Sequence, residues 1–386
     1  MTMIKKLFIL VLTVYTITRL SAQEIKIPMQ PAFWEYDSSA VQFTNYRNVP
    51  AVMNKNGKYY QIFLKNQIFR NGTIEFDVAL TGSGFPGINF RMSADRKNGE
   101  NFYIRSFGPV SPETRTTLQY AALIDGGSIW DLTDEYQAGA LIHQDGWNHV
   151  KLVVSGKQMK VYVNDMSKPA LRVPELEGER DAGNISLTGN VVYANLVIKP
   201  DATEGLPPEA GYISTSNDSR YLRNWMLSKP ADFPFGKDIT MPLPSMHGRI
   251  VDSSLPDSSA QWTAIKAEDR GIVNLSRRYG FVENDNRRLA WLKTTLHSDR
   301  DQERVLSLGF SDEVWVFING QILYTGKNYF GTPGQKEPKG RCTIENTHFT
   351  IPLRKGDNEI LIGLANYFYG WGIIARMDSM EGITIR

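Results

Sequence analysis

The stretch Ile74-Glu75-Phe76-Asp77-Val78-Ala79-Leu80 decides the fold class. Ile74, Phe76, Val78 and Leu80 recur at every second position, and a period of two lines up one face of a β-strand. Working outward, Ile88, Phe90 and Met92 alternate with Asn89 and Arg91. In the next run, Phe102 and Ile104 lie opposite Asn101, Tyr103 and Arg105. Residues 147–154 and 159–164 read as two strands joined by Ser155-Gly156-Lys157-Gln158, a hairpin with a glycine-bearing turn. Short alternating runs separated by Gly, Asn, Asp and Pro, with little helical periodicity, predict an all-β protein built of sandwiches.

At 386 residues the chain exceeds what one small core organises. The break falls at 200–212, Pro-Asp-Ala-Thr-Glu-Gly-Leu-Pro-Pro-Glu-Ala-Gly-Tyr, which has three prolines, two glycines and no apolar period. The expected organisation is a first sandwich at 23–199, a linker at 200–212 and a second sandwich at 213–386. In the second, Val314-Trp315-Val316-Phe317-Ile318 is apolar on both faces, as in a strand buried between layers. Asn319-Gly320 then supplies a tight turn.

The N-terminus reads as a secretory signal over 1–22. Lys5 and Lys6 precede a short apolar run from Leu7 to Val14, and Ser21-Ala22 offers small residues for cleavage. That run falls short of the roughly 20 residues needed to span a bilayer. Its removal takes Lys5, Lys6 and Arg19 with it and moves the formal charge from +2 to −1. Nothing in that balance attracts nucleic acid or anionic lipid. The chain is therefore expected to be secreted or periplasmic, with no membrane span after cleavage. Cys342 is the single cysteine, so no disulfide forms within the chain, and a buried inert thiol is expected.

These runs carry family resemblances. Residues 69–78, Phe-Arg-Asn-Gly-Thr-Ile-Glu-Phe-Asp-Val, resemble an early strand of concanavalin A-like jelly rolls of the laminin G and glucanase superfamily. Residues 84–91, Gly-Phe-Pro-Gly-Ile-Asn-Phe-Arg, are similar to a strand of the secreted 3-keto-disaccharide hydrolases. Residues 146–151 followed by 161–165 resemble the superfamily's Trp-bearing hairpin, with Asp165 where the family has glycine. In the second half, residues 221–225, 308–320 and 353–360 resemble galactose-binding-like sandwiches appended to glycoside hydrolases. Both resemblances imply recognition of oligo- or polysaccharide.

If the strands of the first sandwich are neighbours, Glu75, Asp77, Asn89, Arg91, Tyr103 and Arg105 share one outward face, joined by Gln119. In the superfamily that face holds the ligand. Amides, carboxylates and guanidinium groups suit sugar hydroxyls, and Tyr103 offers a plate for an apolar ring face. The same pattern also suits a plain solvated sheet face. Tyr329 and Tyr369, in Gly- and Asn-rich loops of the second sandwich, are further carbohydrate-binding candidates, whereas Trp315 and Trp371 read as core.

Catalytic residues are not expected. Glucanases of the superfamily use Glu-x-Asp-x-x-Glu, and Glu75 and Asp77 match its first two positions, but Leu80 stands at the third. Both carboxylates are expected to orient ligand hydroxyls or to pair with Arg91 or Arg105, and arginine partners favour the ionised form, the opposite of what a general acid needs. The five histidines show no ligand spacing, so no zinc site is expected. The only cofactor left open is a structural calcium at Glu283-Asn284-Asp285-Asn286, where a plain polar turn is the simpler reading. The expectation is carbohydrate recognition in polysaccharide utilisation. A glycoside or 3-keto-glycoside hydrolase on the same face, or a protein-interaction module, are the alternatives.

Overall fold

The computed structural model describes residues 23–107, 111–239, 255–281 and 287–386. Residues 1–22, read above as a secretory signal, and the candidate calcium loop 283–286 lie outside the described residues. Regular structure is almost wholly strand. The one α-helix among the described residues is Leu275–Tyr279, capped by the Asn274 side chain accepting from the Arg277 amide.

The first half is a sandwich of two eight-stranded antiparallel sheets. Its back sheet runs in the order Leu171–Val173, Gln158–Val163, Asn148–Ser155, Gly72–Ala79, Val192–Pro200, Val49–Asn54, Val41–Tyr46, with Ile25–Ile27 on Val192–Pro200. Its front sheet runs Gly127–Ser128, Leu118–Ile124, Gly99–Ile104, Gly87–Met92, Asn184–Gly189, Tyr60–Leu64, Trp34–Glu35, with Gln137–Ala138 on Leu118–Ile124. The alternation seen in the sequence now has a direction. Ile74 and Phe76 stand opposite Leu152 and Val150 in the back sheet. They meet Ile88, Phe90, Phe102 and Tyr120 of the front sheet in one buried core. Interleaving the two inward faces removes most of this apolar surface from water, the main favourable contribution to folding.

Residues 200–212 follow the surface of this sandwich. Leu206 packs on Val153 and Tyr162. Lys157 N donates to Pro208 O at 2.8 Å and Gly211 N to Pro174 O at 2.8 Å.

The second half pairs an eight-stranded sheet with a four-stranded one. Glu313–Ile318 lies between Gly356–Ala365 and Gln321–Lys327. Val314, Val316 and Ile318 enter the core between the two sheets. Trp315 and Phe317, on its other face, pack with Phe233, Leu289 and Trp291. Burial on both faces is why this strand has no polar alternation.

The two sandwiches are joined by buried contacts as well as by the chain. Ala122, Ile124, Ile129 and Leu132 of the first pack against Ile272 and Cys342 of the second. Arg270 reaches across, its Nε donating to Glu177 Oε1 at 2.7 Å. Its Nη1 donates to Leu132 O at 2.8 Å and to Glu135 Oε1 at 2.6 Å. Arg277 Nη2 donates to the other Glu177 oxygen at 2.7 Å. Burial alone would raise the Glu177 carboxyl, but Arg270 and Arg277 outweigh it and hold it below its ordinary value. Asp131 accepts from Gly370 N at 2.9 Å and from Ser311 Oγ at 2.8 Å. Glycine is required at 370, because a Cβ there would fall 2.5 Å from Asp131 Oδ1 and from Leu132 Cγ. Cys342 is buried in this junction, and burial pushes its thiol well up.

Arg270 and Glu177 have side chains only 7% and 5% exposed. Arg270→Ala therefore leaves a buried carboxylate short of its main partner and should cost about 3–5 kcal/mol of stability in denaturant unfolding. A loss under about 1 kcal/mol, the range of an exposed ion pair, would show that the guanidinium does not hold the junction.

Candidate functional site

The outward face of the front sheet is a floor of polar side chains set by strand register. One row runs Gln61, Thr188, Gly87, Tyr103, Gln119 and Gln137, each opposite the next on neighbouring strands. The adjacent row holds Phe63, Ser186, Asn89, Asn101 and Ala121. Hydrogen bonds run along the floor. Gln61 Nε2 and Asn89 Nδ2 donate to Ser186 Oγ at 3.0 and 2.9 Å, and Asn101 Nδ2 donates to Asn89 Oδ1 at 2.7 Å. Tyr103 OH donates to Gln119 Oε1 at 2.9 Å, while Gln119 Nε2 donates to Trp130 O at 2.6 Å. Arg105 caps this row, bonding Tyr103 OH at 3.2 Å, Gln119 Oε1 and Thr116 O at 2.8 Å. Burial pushes the Tyr103 phenol up to about 12, against the pull of Arg105 and Arg341.

Aromatic rings surround this floor. Phe85, 45% exposed, packs edge-on against Tyr103 at 5.5 Å and Phe107 at 5.0 Å. From the second sandwich, Tyr369 and Phe330 are 36% and 38% exposed. Trp130, from the first, lies 5.0 Å from Phe330 and 6.2 Å from Tyr369. Trp130, whose carbonyl accepts from Gln119, thus ties the Tyr369 loop to the front row. Arg341 sits over the Trp130 ring at 5.0 Å.

The structure therefore brings together Asn89, Tyr103, Arg105, Gln119 and Tyr369 and separates the other four expected residues. Glu75 and Asp77 belong to the back sheet and point out of the opposite side of the sandwich. Alternation along a strand separates inward from outward, but a sandwich has two outward faces, and only the pairing of Gly72–Ala79 with Asn148–Ser155 and Val192–Pro200 chooses between them. Their partners are not arginines. Lys199 Nζ donates to Glu75 Oε1 at 2.8 Å, Asn195 Nδ2 to Asp77 Oδ2 at 2.7 Å, and His149 Nδ1 lies 2.7 Å from Asp77 Oδ1.

Arg91 also leaves the face. Register shifts between Asn184 and Ser186, and Arg91 takes a left-handed φ of 52°. A bulge of this kind inserts one residue and inverts the alternation after it. The Arg91 guanidinium turns to Arg70 O at 2.9 Å, Gly156 O at 2.9 Å and Asn71 Oδ1 at 3.0 Å. Tyr329 is held within its own domain, donating to Glu313 Oε2 at 2.5 Å and accepting from Arg287 at 3.2 Å.

Sequence reasoning missed Gln61, Trp130, Gln137, Ser186 and Arg341. Trp130 carried a faint signal, a tryptophan after the Gly126-Gly127 turn. Arg341 carried none, since its place depends wholly on how the sandwiches dock. Among the described residues no group of three or more His, Cys, Asp or Glu side chains could hold a metal ion. No helix among them is long and apolar enough to cross a membrane.

No family model matches the chain, and no curated protein matches its sequence. Solved structures with some likeness include carbohydrate-binding module CBM66 from Bacillus subtilis, at 14% identity and TM-score 0.32, over 43% of this chain and 95% of that one. Another is a Bacillus subtilis protein of unknown function with a galectin-like fold, at 12% identity and TM-score 0.33, over 45% and 94%. A glycosidic hydrolase gives 12% and 0.33, over 47% and 97%. Likeness this loose, over less than half of the chain, says nothing of ligand or activity.

The back-sheet cluster makes its own prediction. The hydrogen bond to Asp77, then the charges of Asp77 and Glu75, raise His149 above its ordinary 6.5 despite partial burial. A raised histidine contributes stability that is fully present below 6.5 and is lost as pH rises through the folded value. Melting temperatures of wild type and His149→Gln should differ most in mild acid and converge in alkali. A gap constant with pH would mean that the imidazolium is not held by these carboxylates.

Proposed function

We propose that the chain recognises carbohydrate where the front sheet of the first sandwich meets the aromatic loops of the second, as a secreted or periplasmic protein serving polysaccharide utilisation. The observation that carries this reading is the hydrogen-bonded run Gln61, Ser186, Asn89, Asn101, flanked by exposed rings from both sandwiches. Sugars present hydroxyl edges and apolar ring faces. Amide and hydroxyl side chains fixed by their neighbours meet the first without losing much rotamer freedom on binding. Aromatic plates such as Tyr369 and Phe85 meet the second. The resemblances in the sequence point to the same ligand class.

The site needs both sandwiches. Tyr103, Gln119 and Asn101 come from one, Tyr369 and Arg341 from the other, and the buried Arg270 link fixes their relation. Glu75 and Asp77, on the back sheet, take no part in this reading.

A glycan array of neutral and acidic polysaccharides, probed with the chain lacking residues 1–22, tests it. Tyr369→Ala should weaken a positive hit roughly tenfold, the scale of one lost stacking partner. Asn101→Ala should act in the same direction, and Glu75→Gln should leave affinity unchanged. Loss of binding in Glu75→Gln with none in Tyr369→Ala would move the site to the back sheet. Release of smaller sugars from a bound glycan would replace the binding reading with the hydrolase one.

A further inference from the structure

The charges at this junction do not balance. Asp134 is the carboxylate shared by Arg115 and Arg341, and its oxygens are already engaged. Oδ1 accepts from Arg115 Nη1 at 3.1 Å and Gln137 Nε2 at 2.8 Å, and Oδ2 accepts from Arg115 Nη2 at 2.8 Å. Arg105 has no ion-pair partner among the described residues. The acceptors of its hydrogen bonds are Thr116 O, Gln137 Oε1, Tyr103 OH and Gln119 Oε1, all neutral. The other acid nearby, Asp131, has both oxygens occupied by Ser311 and Gly370.

Arg341 is the sharper anomaly. It is only 4% exposed, and its Nε is buried with no hydrogen-bond partner among the described residues. Its Nε lies 3.4 Å from Asp134 Oδ1 without hydrogen-bond alignment. A buried guanidinium N–H without an acceptor is costly, because it has given up water and gained no hydrogen bond in exchange. Trp130 stacks under it and Arg105 repels it. A planar donor fork held in that way suits an anionic acceptor.

Resting on the saccharide reading above, we infer that the sugar taken at this junction is anionic, its carboxylate or sulfate group received by Arg341 in the field of Arg105. The aromatic rings then hold the sugar face and the amide floor its hydroxyls. Binding adds an anionic partner to a guanidinium that Asp134 meets only at 3.4 Å.

Calorimetric titration of the chain lacking residues 1–22 tests this with matched probes: oligogalacturonate, the same oligomers after carboxyl reduction, and a sulfated galactan. The expected result is binding of at least one anionic probe, at least roughly tenfold tighter than the reduced oligomer. Which anionic probe wins identifies carboxylate or sulfate as the source of the charge. Arg341→Gln should reduce that affinity by a similar factor. The reduced oligomer keeps the test sharp should Arg341→Gln disturb docking, since it changes the ligand and leaves the protein intact. Equal binding of charged and reduced oligomers, with Tyr369→Ala still weakening both, would overturn the anionic inference and leave carbohydrate recognition standing. Failure of every glycan, on the array and here, would overturn both.

Discussion

The site depends on one buried charge crossing between two sandwiches. Arg270 leaves the second domain and ends among Glu177, Glu135 and the Leu132 carbonyl of the first, with its guanidinium over Tyr136. Charges taken from water are tolerated only when partners are supplied at close to ideal geometry, so such a contact permits few relative orientations. Asp131 adds a second constraint. Burial pushes it up to about 7 even though Ser311 and Gly370 donate to it, and Asp312, on the other side of Ser311, is pushed well above its ordinary value for the same reason. Carboxyls shifted this way favour the docked arrangement more as pH falls. With the orientation fixed, Tyr369 and Arg341 stand over the front sheet of a domain to which neither belongs.

The layered architecture then divides the polar residues by destination. The first sandwich has two outward faces, and each carries a cluster that strand periodicity alone describes identically. On the back face Glu75, Asp77, His149, Lys199 and Asn195 satisfy one another. On the front face the amides form a hydrogen-bonded run, and the two guanidinium groups of Arg105 and Arg341 exceed the carboxylates left to meet them. The difference between a closed set of partners and an open one separates surface chemistry that stabilises from surface chemistry available to a ligand.

The architecture was legible because it rests on local patterns. Ile74, Phe76 and Val78 on one face, the turn at Ser155-Gly156-Lys157-Gln158 and the doubly apolar strand Glu313–Ile318 each carry their structure in a few consecutive residues. The front-face positions of Asn89, Tyr103 and Gln119 were legible for the same reason. What escaped needed non-local information. Gly72–Ala79 reads alike in either sheet, so its period places Glu75 and Asp77 outward without choosing the back face on which they stand. One bulge, seen only in the register of Gly87–Met92 against Asn184–Gly189, turned Arg91 inward. Arg341 and Trp130 became part of a site only through docking, which leaves no periodic trace in a chain.

The most direct measurement is amide hydrogen exchange of the chain lacking residues 1–22, with and without a saturating acidic saccharide. Exchange should slow in 99–124 of the first sandwich together with 327–342 and 366–371 of the second, with no change in 72–79 or 192–200. Protection confined to one sandwich, or appearing on the back-sheet strands, would contradict it.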